Sequence, residues 1–246
     1  MWLSEFEYFS IRIRYFSSQI LIQLLVMPGK VLIYTGDGEG KTSASLGHAI
    51  RFAGYGNKVA IIHFMKGRKT GEYKFLENNP LINVFLYGPP YFLATTQTVL
   101  NTWTEENSGL QFVSSANLIK RTDEGKTGVK NGKKVAADKL ASSLKSCSFE
   151  AHLRKAKQGL EFANKILGEK TYKLIVFDEI LYAVKFKLLK ESDVISLIEK
   201  RGNTNLILTG RSAPEKVLEL ADLVSYLQEG KHYFNIEKKA LPGLDF

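Results

Sequence analysis

The sequence predicts an α/β fold with a mostly parallel sheet and helices on both faces. Three observations support this fold class. Apolar, strand-like runs alternate with helical patterns, a glycine-rich loop follows the first run, and polar or charged residues follow several others. The chain has 246 residues, 44% of them hydrophobic, so it is long enough to bury the core that such a sheet needs. One α/β domain with additions is the expected organisation.

Six apolar runs are the candidate strands, and each is followed by glycine, proline or polar residues that end it. They lie at Val31–Tyr34, Lys58–Phe64, Leu81–Tyr87, Lys173–Phe177, Asn205–Thr209 and Leu223–Leu227. Helical patterns occupy Thr42–Ala53, Ala151–Leu167, Glu191–Lys200 and Pro214–Leu220. Because strands that alternate with helices pair in parallel, we expect ligands at the carboxyl ends of the strands.

The first strand runs into a glycine-rich loop that spans Thr35–Ser43. Glycines let successive backbone N–H groups turn toward an anion, and the helix that follows presents its positive end to the same point. Lys41 adds a mobile cation, and Thr42 offers a hydroxyl to Mg²⁺. The strict sequence pattern of phosphate-binding loops has glycine where this chain has Thr35. The small residues that let the backbone N–H groups approach a phosphate come later in the loop. The other candidate ATP-binding positions here are Gly36, Asp37, Gly38, Glu39, Gly40 and Ser43.

A pair of carboxylates, Asp178 and Glu179, follows the fourth predicted strand. Carboxylates at a strand end can reach Mg²⁺ directly or through water, and hard oxygen ligands suit that ion. An isolated pair of this kind would be typical of a helix cap, but the phosphate-binding loop makes a metal site the preferred interpretation. Thr42, Asp178 and Glu179 are therefore the predicted metal ligands of a P-loop NTPase-like (RecA-like) domain that binds ATP with Mg²⁺.

Other cations follow strand ends or share the first helix. Lys66 and Arg211 each come after a predicted strand, at the edge where ATP should bind. Arg51 lies ten residues after Lys41 on the same predicted helix, and the sequence leaves open whether it reaches the phosphates or faces solvent. Glu39 would weaken the positive potential of the loop, so its side chain is expected to point outward. The histidines, at His48, His63, His152 and His232, lack a catalytic arrangement and are interpreted as structural.

Composition narrows the class of partner and the compartment. The net charge of +9 suits a protein that handles a polyphosphate as well as one that binds nucleic acid. No basic stripe interleaved with aromatic residues is present, so we do not expect a nucleic-acid partner. The single cysteine, Cys147, excludes an internal disulfide framework and a four-cysteine zinc site, which favours a reducing, cytoplasmic location.

Two segments do not fit the alternation of strands and helices. Residues 1–26 precede the domain expected at 27–246 and carry an apolar stripe at near-helical spacing. They form an amphipathic helix on the body, or they are translated ahead of a true start at Met27, and the sequence leaves both open. Their apolar run is too short to span a bilayer, and no membrane partner is expected. Residues 98–149 are rich in Ser, Asn, Thr, Lys and Gly, which predicts an inserted surface loop or a lid over the nucleotide.

Several motifs, in order along the chain, resemble the P-loop ATP:corrinoid (cob(I)alamin) adenosyltransferase family. They are the loop itself, Arg51 with Ala53–Gly56, Phe64–Gly67, Phe177–Tyr182, Leu208–Arg211, Glu219–Ser225, Lys231–His232 and Pro242–Phe246. The first three motifs resemble the beginning of the family sequence, and the fourth resembles its second signature motif. The remaining motifs resemble its carboxyl-terminal third. The resemblance covers roughly residues 30–97 and 151–246.

The resemblance implies transfer of the 5′-deoxyadenosyl group of ATP to the Co(I) of a reduced corrinoid, with tripolyphosphate as the leaving group. Because Co(I) is a strong nucleophile, such an enzyme needs no protein base. It positions the 5′-carbon of ATP and stabilises charge on the departing phosphates. Lys41, Thr42 and Glu179 are then the expected catalytic residues. The family also implies adenosylcobalamin synthesis or salvage, a homodimer, and a reductase partner that supplies reduced cobalt.

The segment after the third predicted strand departs from the family pattern. The family has a Gly-Phe-Thr-Trp-x-Thr-Gln-like segment whose aromatic residues approach the corrinoid, and this chain has Pro90–Gln97 there. Phe92 matches, whereas Ala94 stands in place of Trp, and Tyr91 or Trp103 could substitute for it. Tyr91 and Phe92 are the predicted corrinoid-binding residues.

Two alternative functions stay open. One is a P-loop ATPase or switch that binds a protein or nucleic acid through the lysine-rich insertion, and the other is a carrier of ATP and corrinoid without turnover.

Overall fold

The structure is a computed structural model that describes residues 27–91, 93, 131–231 and 243, with the backbone alone for 131–147. The predictions for residues 1–26, Phe92, Ala94 and most of the expected insertion lie outside this part of the chain. Within it, six strands and six helices follow one another: β1 (Val31–Thr35), α1 (Lys41–Gly54), β2 (Val59–Phe64), α2 (Gly71–Leu76), β3 (Ile82–Tyr87), α3 (Asn131–Glu169), β4 (Leu174–Asp178), α4 (Ile180–Lys185), α5 (Glu191–Glu199), β5 (Asn205–Thr209), α6 (Glu215–Glu219) and β6 (Leu223–Tyr226). The predicted strands are confirmed, each to within a residue at either end.

The six strands form one parallel sheet in the order β3-β2-β4-β5-β1-β6. This arrangement confirms the predicted α/β class with a mostly parallel sheet. Strand β4 lies between β2 and β5, and β1 lies on the other side of β5. Because the strands run in one direction, the loops after β1, β2, β4 and β5 all open at one edge. That edge carries the glycine-rich loop and the residues predicted to act with it.

Helices cover both faces of the sheet, as predicted. Successive side chains of a strand point to opposite faces, and two separate cores result. One core packs α3, α4, α5 and α6 against strand residues such as Ile62 and Phe177. The other packs α1 and α2 against residues such as Ile61 and Val176. Strands β2 and β4 are buried along their whole length, which explains why they are nearly continuous apolar runs in the sequence.

Helix α3 begins at Asn131, well before the predicted start at Ala151. Its first part therefore occupies residues that the sequence predicts as a surface loop, and that prediction is wrong for this part. The stretch contains several Ala and Lys residues, which favour helix, together with as many Ser as Lys residues, and it lacks the sustained apolar periodicity that predicts a helix. Although α3 is long, neither it nor any other described helix is apolar enough to cross a membrane.

The packing of α3 on the sheet gives a test of the fold. A Cβ atom on Gly159 would lie 2.9 Å from Cε1 of Phe64 and 3.0 Å from Cβ of Tyr87. We expect Gly159→Val to lower the free energy of unfolding by about 1–3 kcal/mol, because the added side chain overpacks this contact. Urea unfolding measures the loss. Gly168→Ala is the matched control, since a Cβ there meets nothing within 4 Å, and equal effects of the two substitutions would contradict the packing.

Candidate active site

Three neighbouring strands carry polar residues near their carboxyl ends, and these residues meet beneath the glycine-rich loop. His63 lies in β2, Asp178 ends β4 and Thr209 ends β5. The register pairs His63 directly with Asp178. Their exposed fractions are 1%, 0% and 1%. The residue two positions before each of them belongs to the core that packs against α1. Because alternate residues of a strand point to the same face of the sheet, all three side chains face α1 and the loop.

Asp178 is the centre of this row because it accepts hydrogen bonds from three side chains. Nδ1 of His63 lies 2.8 Å from Oδ2 of Asp178. The hydroxyl groups of Thr209 and Thr42 donate to Oδ1 over 2.7 Å and 2.9 Å. Burial acts to raise the pKa of Asp178, but the hydrogen bond from His63 and the charge of Lys66 outweigh it, and the pKa falls to about 2. Asp178 is therefore an ionised carboxylate that ties the loop to the centre of the sheet.

The loop has the backbone of a phosphate-binding nest. Gly36 and Gly40 have φ angles of 108° and 94°, which glycine adopts without strain. A Cβ on Gly36 would lie 2.3 Å from the carbonyl oxygen of Leu227, and the N–H of Gly38 donates to that same oxygen over 2.8 Å. The chain after β6 thus forms one wall of the loop, a contact that the sequence does not reveal. Glu39 is exposed, as expected.

Two of the predicted phosphate-binding cations meet at this loop. Lys41 begins α1, and its ammonium group donates to the carbonyl of Gly38. Burial lowers the pKa of Lys41, and the nearby Arg211 lowers it further, although carboxylates around the loop oppose both effects. Arg211 reaches the loop from the end of β5, where its Nη1 lies 3.6 Å from Oδ1 of Asp37. Its guanidinium carbon also lies 6.0 Å from the ring centre of Tyr182, a residue for which the sequence suggested no individual role.

Glu179 lies next to Asp178 but has the opposite ionisation tendency. Its backbone is left-handed, with a φ of 60°, and its N–H donates to Oγ1 of Thr209 over 2.9 Å. Burial and the charge of Asp178 raise the pKa of Glu179 to about 7, against the opposing charge of Lys66. The two neighbouring carboxyl groups are thus distinct: one is held ionised by donors, and the other gains its charge only near neutral pH.

Lys66 is brought to the same edge by the end of β2. Its ammonium group forms an ion pair with Glu72 at 3.1 Å, a partner that no motif in the sequence indicates. Burial acts to lower the pKa of Lys66, but the charges of Asp178, Glu72 and Glu179 outweigh it and raise the pKa. The site therefore holds a charged lysine beside the two carboxylates.

The predicted metal ligands form a donor set that fits Mg²⁺. Thr42, Asp178 and Glu179 offer hydroxyl and carboxylate oxygens, which this ion prefers. Because Oδ1 of Asp178 already accepts from two hydroxyl groups, the oxygens of Thr42 and Glu179 are the more available ones. No group of three or more His, Cys, Asp or Glu side chains in the described residues could hold a metal ion. Mg²⁺ commonly binds through one or two protein oxygens together with substrate phosphates and water.

The structure does not bring Arg51 together with the loop. Arg51 lies in the last turn of α1, whereas the glycine-rich loop leads into its first turn. Its separation of ten positions from Lys41 corresponds to about 15 Å along the helix axis. Its side chain is exposed. Of the two readings that the sequence left open, the solvent-facing one describes this position.

Of the predicted corrinoid-binding pair, Tyr91 can be described, whereas Phe92 lies outside the described residues. Tyr91 follows β3, on the same edge of the sheet as the loop. Its ring makes an edge-to-face contact with His152 of α3, with ring centres 5.8 Å apart. His152 is buried, and its Nδ1 lies 2.8 Å from the carbonyl oxygen of Ser148. The ring of Tyr91 is thus packed against a buried residue of the long helix α3.

The nested loop, the buried Asp178 and the surrounding cations define a nucleotide-binding protein of the P-loop class. The family of this chain follows from sequence comparison. The model of the ATP:corrinoid adenosyltransferase BtuR/CobO/CobP family matches residues 28–123 and 134–246, so the chain belongs to that family. Its members use ATP and a corrinoid as substrates, and the chain is an enzyme of this class.

Curated relatives agree with the family. The chain is 27% identical over 220 residues to the corrinoid adenosyltransferase CobA of Salmonella typhimurium, covering 89% of this chain and 86% of the relative. It is 26% identical over 220 residues to the Escherichia coli K12 corrinoid adenosyltransferase, with the same coverage of both chains. The corresponding Pseudomonas aeruginosa protein is 24% identical over 221 residues, or 89% of this chain and 84% of the relative.

The family match is more extensive than the motifs alone suggested. It runs through most of the segment predicted as an insertion and leaves only residues 124–133 unmatched between its two parts. Helix α3 begins within this unmatched stretch. The part of the segment without a family counterpart is therefore much shorter than residues 98–149.

A first prediction for the site concerns the close approach of the loop to its wall. We expect Gly36→Ala to weaken ATP binding at least about 10-fold, because a Cβ is strained at this φ angle and collides with the backbone of Leu227. Isothermal titration with ATP measures the change. Gly47→Ala, within α1, is the matched control, since a Cβ there meets nothing within 4 Å. Unchanged ATP affinity in Gly36→Ala would contradict the described loop.

A second prediction concerns the pH dependence of stability. Folding raises the pKa of Glu179 from 4.5 to about 7, so the folded state holds this proton more tightly than the unfolded state. The contribution of Glu179 to the free energy of unfolding should therefore fall as the pH rises from 4.5 through about 7, whereas His48 and His152, whose pKa values burial lowers, contribute in the opposite direction. Glu179→Gln removes the titrating group, and we expect urea unfolding without Mg²⁺ to show that the stability of this variant rises more, or falls less, with pH in this range than that of the parental protein. An exposed carboxylate variant, Glu161→Gln, should keep the parental slope; an unchanged slope in Glu179→Gln would contradict the assignment.

Proposed function

We propose that this protein transfers the 5′-deoxyadenosyl group of ATP to the Co(I) of a corrinoid and releases tripolyphosphate, in adenosylcobalamin synthesis or salvage. The observation that carries the proposal is the convergence of Lys41, Arg211 and Lys66 on the edge that holds the loop. A site rich in cations suits a reaction whose leaving group is a polyphosphate.

The proposed reaction requires no proton transfer by the protein. The electron pair of Co(I) attacks the 5′-carbon of ATP and forms the cobalt–carbon bond. The carbon–oxygen bond breaks, and its electrons leave with the tripolyphosphate. No proton is removed from either reactant, so the chain contributes by aligning the 5′-carbon with cobalt and by stabilising charge on the leaving oxygens.

Individual residues then take these roles. The loop N–H groups and Lys41 bind the phosphates, and Arg211, which lies beside Asp37 of the loop, adds a second positive charge. Thr42, Asp178 and Glu179 would hold Mg²⁺, which when bound neutralises part of the phosphate charge. Asp178 contributes mainly by orienting the hydroxyl of Thr42, because Oδ1 is already shared between two hydroxyl donors.

The corrinoid is proposed to bind next to Tyr91 and Phe92. Support comes from the position of Tyr91, which follows β3 at the same edge as the loop and rests on the buried ring of His152. We also propose a homodimer, a reductase partner that supplies Co(I), and a cytoplasmic location. The first two rest on likeness to the family, and the location rests on the single cysteine of the chain.

The direct test supplies ATP, Mg²⁺ and chemically reduced cobalamin to the protein under anaerobic conditions. We expect the spectrum of an adenosylated corrinoid to appear together with tripolyphosphate, in equal amounts. Phosphorus NMR identifies the released phosphate. Release of orthophosphate or ADP without adenosylcorrinoid would overturn the proposal and would indicate an ATPase instead.

Lys41→Ala tests the role of the loop in the same assay. We expect the transfer rate to fall at least about 100-fold, because the variant lacks a principal cation that stabilises the negative charge of the leaving group. Lys58→Ala is the control, since Lys58 is exposed and precedes β2 at the opposite end of the sheet. A Lys41→Ala variant that keeps the parental rate would mean that the phosphates bind elsewhere.

A further inference from the structure

We infer that His63 is a positioning residue of the active site: its Nδ1–H holds the Asp178 carboxylate in the orientation that accepts from the hydroxyl of Thr42, and this directs Thr42 Oγ1 toward the Mg²⁺ that it would hold. The sequence interpretation treated His63 as structural. The inference rests on the proposed function in one respect, that Mg²⁺ and ATP bind at this edge.

The contact between His63 and Asp178 is set by the sheet itself. The two residues are register partners on the neighbouring strands β2 and β4. Their side chains are 1% and 0% exposed, and Nδ1 lies 2.8 Å from Oδ2. Because both backbones belong to a continuous parallel ladder, this hydrogen bond does not depend on the conformation of the loop. His63 can therefore hold Asp178 in one orientation before any ligand binds.

Counting lone pairs shows what this contact does. An ionised carboxylate has about four lone-pair positions, and each of them can accept a hydrogen bond but none can donate one. Among the described residues, Thr42 and Thr209 donate to Oδ1 and His63 donates to Oδ2. Protein donors therefore hold both oxygens of the carboxylate, and three side chains fix its orientation.

The direction of the hydroxyl protons follows from the same count. Thr42 must give its proton to Asp178, since an ionised carboxylate cannot donate. The lone pairs of Thr42 Oγ1 then point away from Asp178, as a metal ligand requires. Thr209 also donates to Asp178 while it accepts from the N–H of Glu179. If Asp178 rotated, the hydroxyl of Thr42 and the backbone of Glu179 would both lose their orientation.

The second ring nitrogen of His63 supports a role confined to Asp178. Nε2 is buried and has no hydrogen-bond partner among the described residues. No second polar contact in this part of the chain therefore explains a histidine at this fully buried strand position. What distinguishes it from an apolar residue of similar size is the donor at Nδ1.

The test compares two substitutions at this one position. His63→Leu removes the donor and keeps an apolar side chain, whereas His63→Asn places an amide nitrogen the same number of bonds from Cα as Nδ1. For each variant, calorimetry measures ATP affinity without Mg²⁺ and with saturating Mg²⁺, in the absence of corrinoid. The quantity compared is the gain in ATP affinity that Mg²⁺ produces.

We expect His63→Leu to reduce this gain about 10-fold or more, the usual effect of losing a residue that orients a metal ligand. Affinity for ATP without Mg²⁺ should stay close to the parental value, and His63→Asn should restore most of the gain. A full gain in His63→Leu would overturn the inference. So would equal losses in both variants, or an equal loss of ATP affinity without Mg²⁺, because either result indicates general damage to the site.

A second measurement needs no substitution and covers the case in which His63→Leu does not fold. Proton and nitrogen NMR of the parental protein should show a slowly exchanging Nδ1–H of His63 that persists when Mg²⁺ and ATP are added. Loss of this proton signal on binding would overturn the inference. Neither the affinity measurement nor the NMR measurement involves cobalt. A negative result for His63 is therefore distinguishable from a negative result in the adenosyltransferase assay, which uses the parental protein alone.

Discussion

A carboxylate with no exposed surface stays ionised only if hydrogen-bond donors replace the water it has lost, and Asp178 is such a group. Its donors come from β2, from β5 and from the first turn of α1. Satisfying this one charge therefore fixes the relative positions of three structural elements around the centre of the sheet. The glycine-rich loop, which leads into α1, is held in place by the same requirement. The geometry of the site depends on this network more than on any single phosphate-binding residue.

The network also separates the roles of groups that look alike in the sequence. Asp178 and Glu179 are adjacent carboxylates, yet donors lower the pKa of the first while burial and its neighbour raise the pKa of the second. Lys66 keeps its charge because it faces both of them and Glu72. The result is an edge where negative charge is buried under the loop and positive charge is presented to the ligand. Such a separation suits the proposed reaction, in which a polyphosphate departs and the protein transfers no proton.

The sequence predicted the sheet, the loop and the carboxylate pair because each leaves a local signal: an apolar run, a glycine spacing, or an acidic residue at a strand end. His63 and Thr209 leave the same kind of signal, a polar residue closing an apolar run, but their contact with Asp178 depends on strand order. Strand order is a tertiary property, and the sequence did not specify it. The wall formed by Leu227 against the loop was hidden for the same reason. The early start of α3 was missed because helix-forming composition there is not accompanied by apolar periodicity.

The central claim, that Asp178 is an ionised hub held by protein donors, is tested most directly by NMR of the protein with ¹³C-labelled aspartate side chains. With a pKa of about 2, the carboxyl carbon of Asp178 should keep the chemical shift of an ionised carboxylate down to about pH 3, where ordinary aspartates are mostly protonated. A titration of this resonance with a midpoint near pH 4 or above would contradict the account, since it would mean that the donors do not hold the charge.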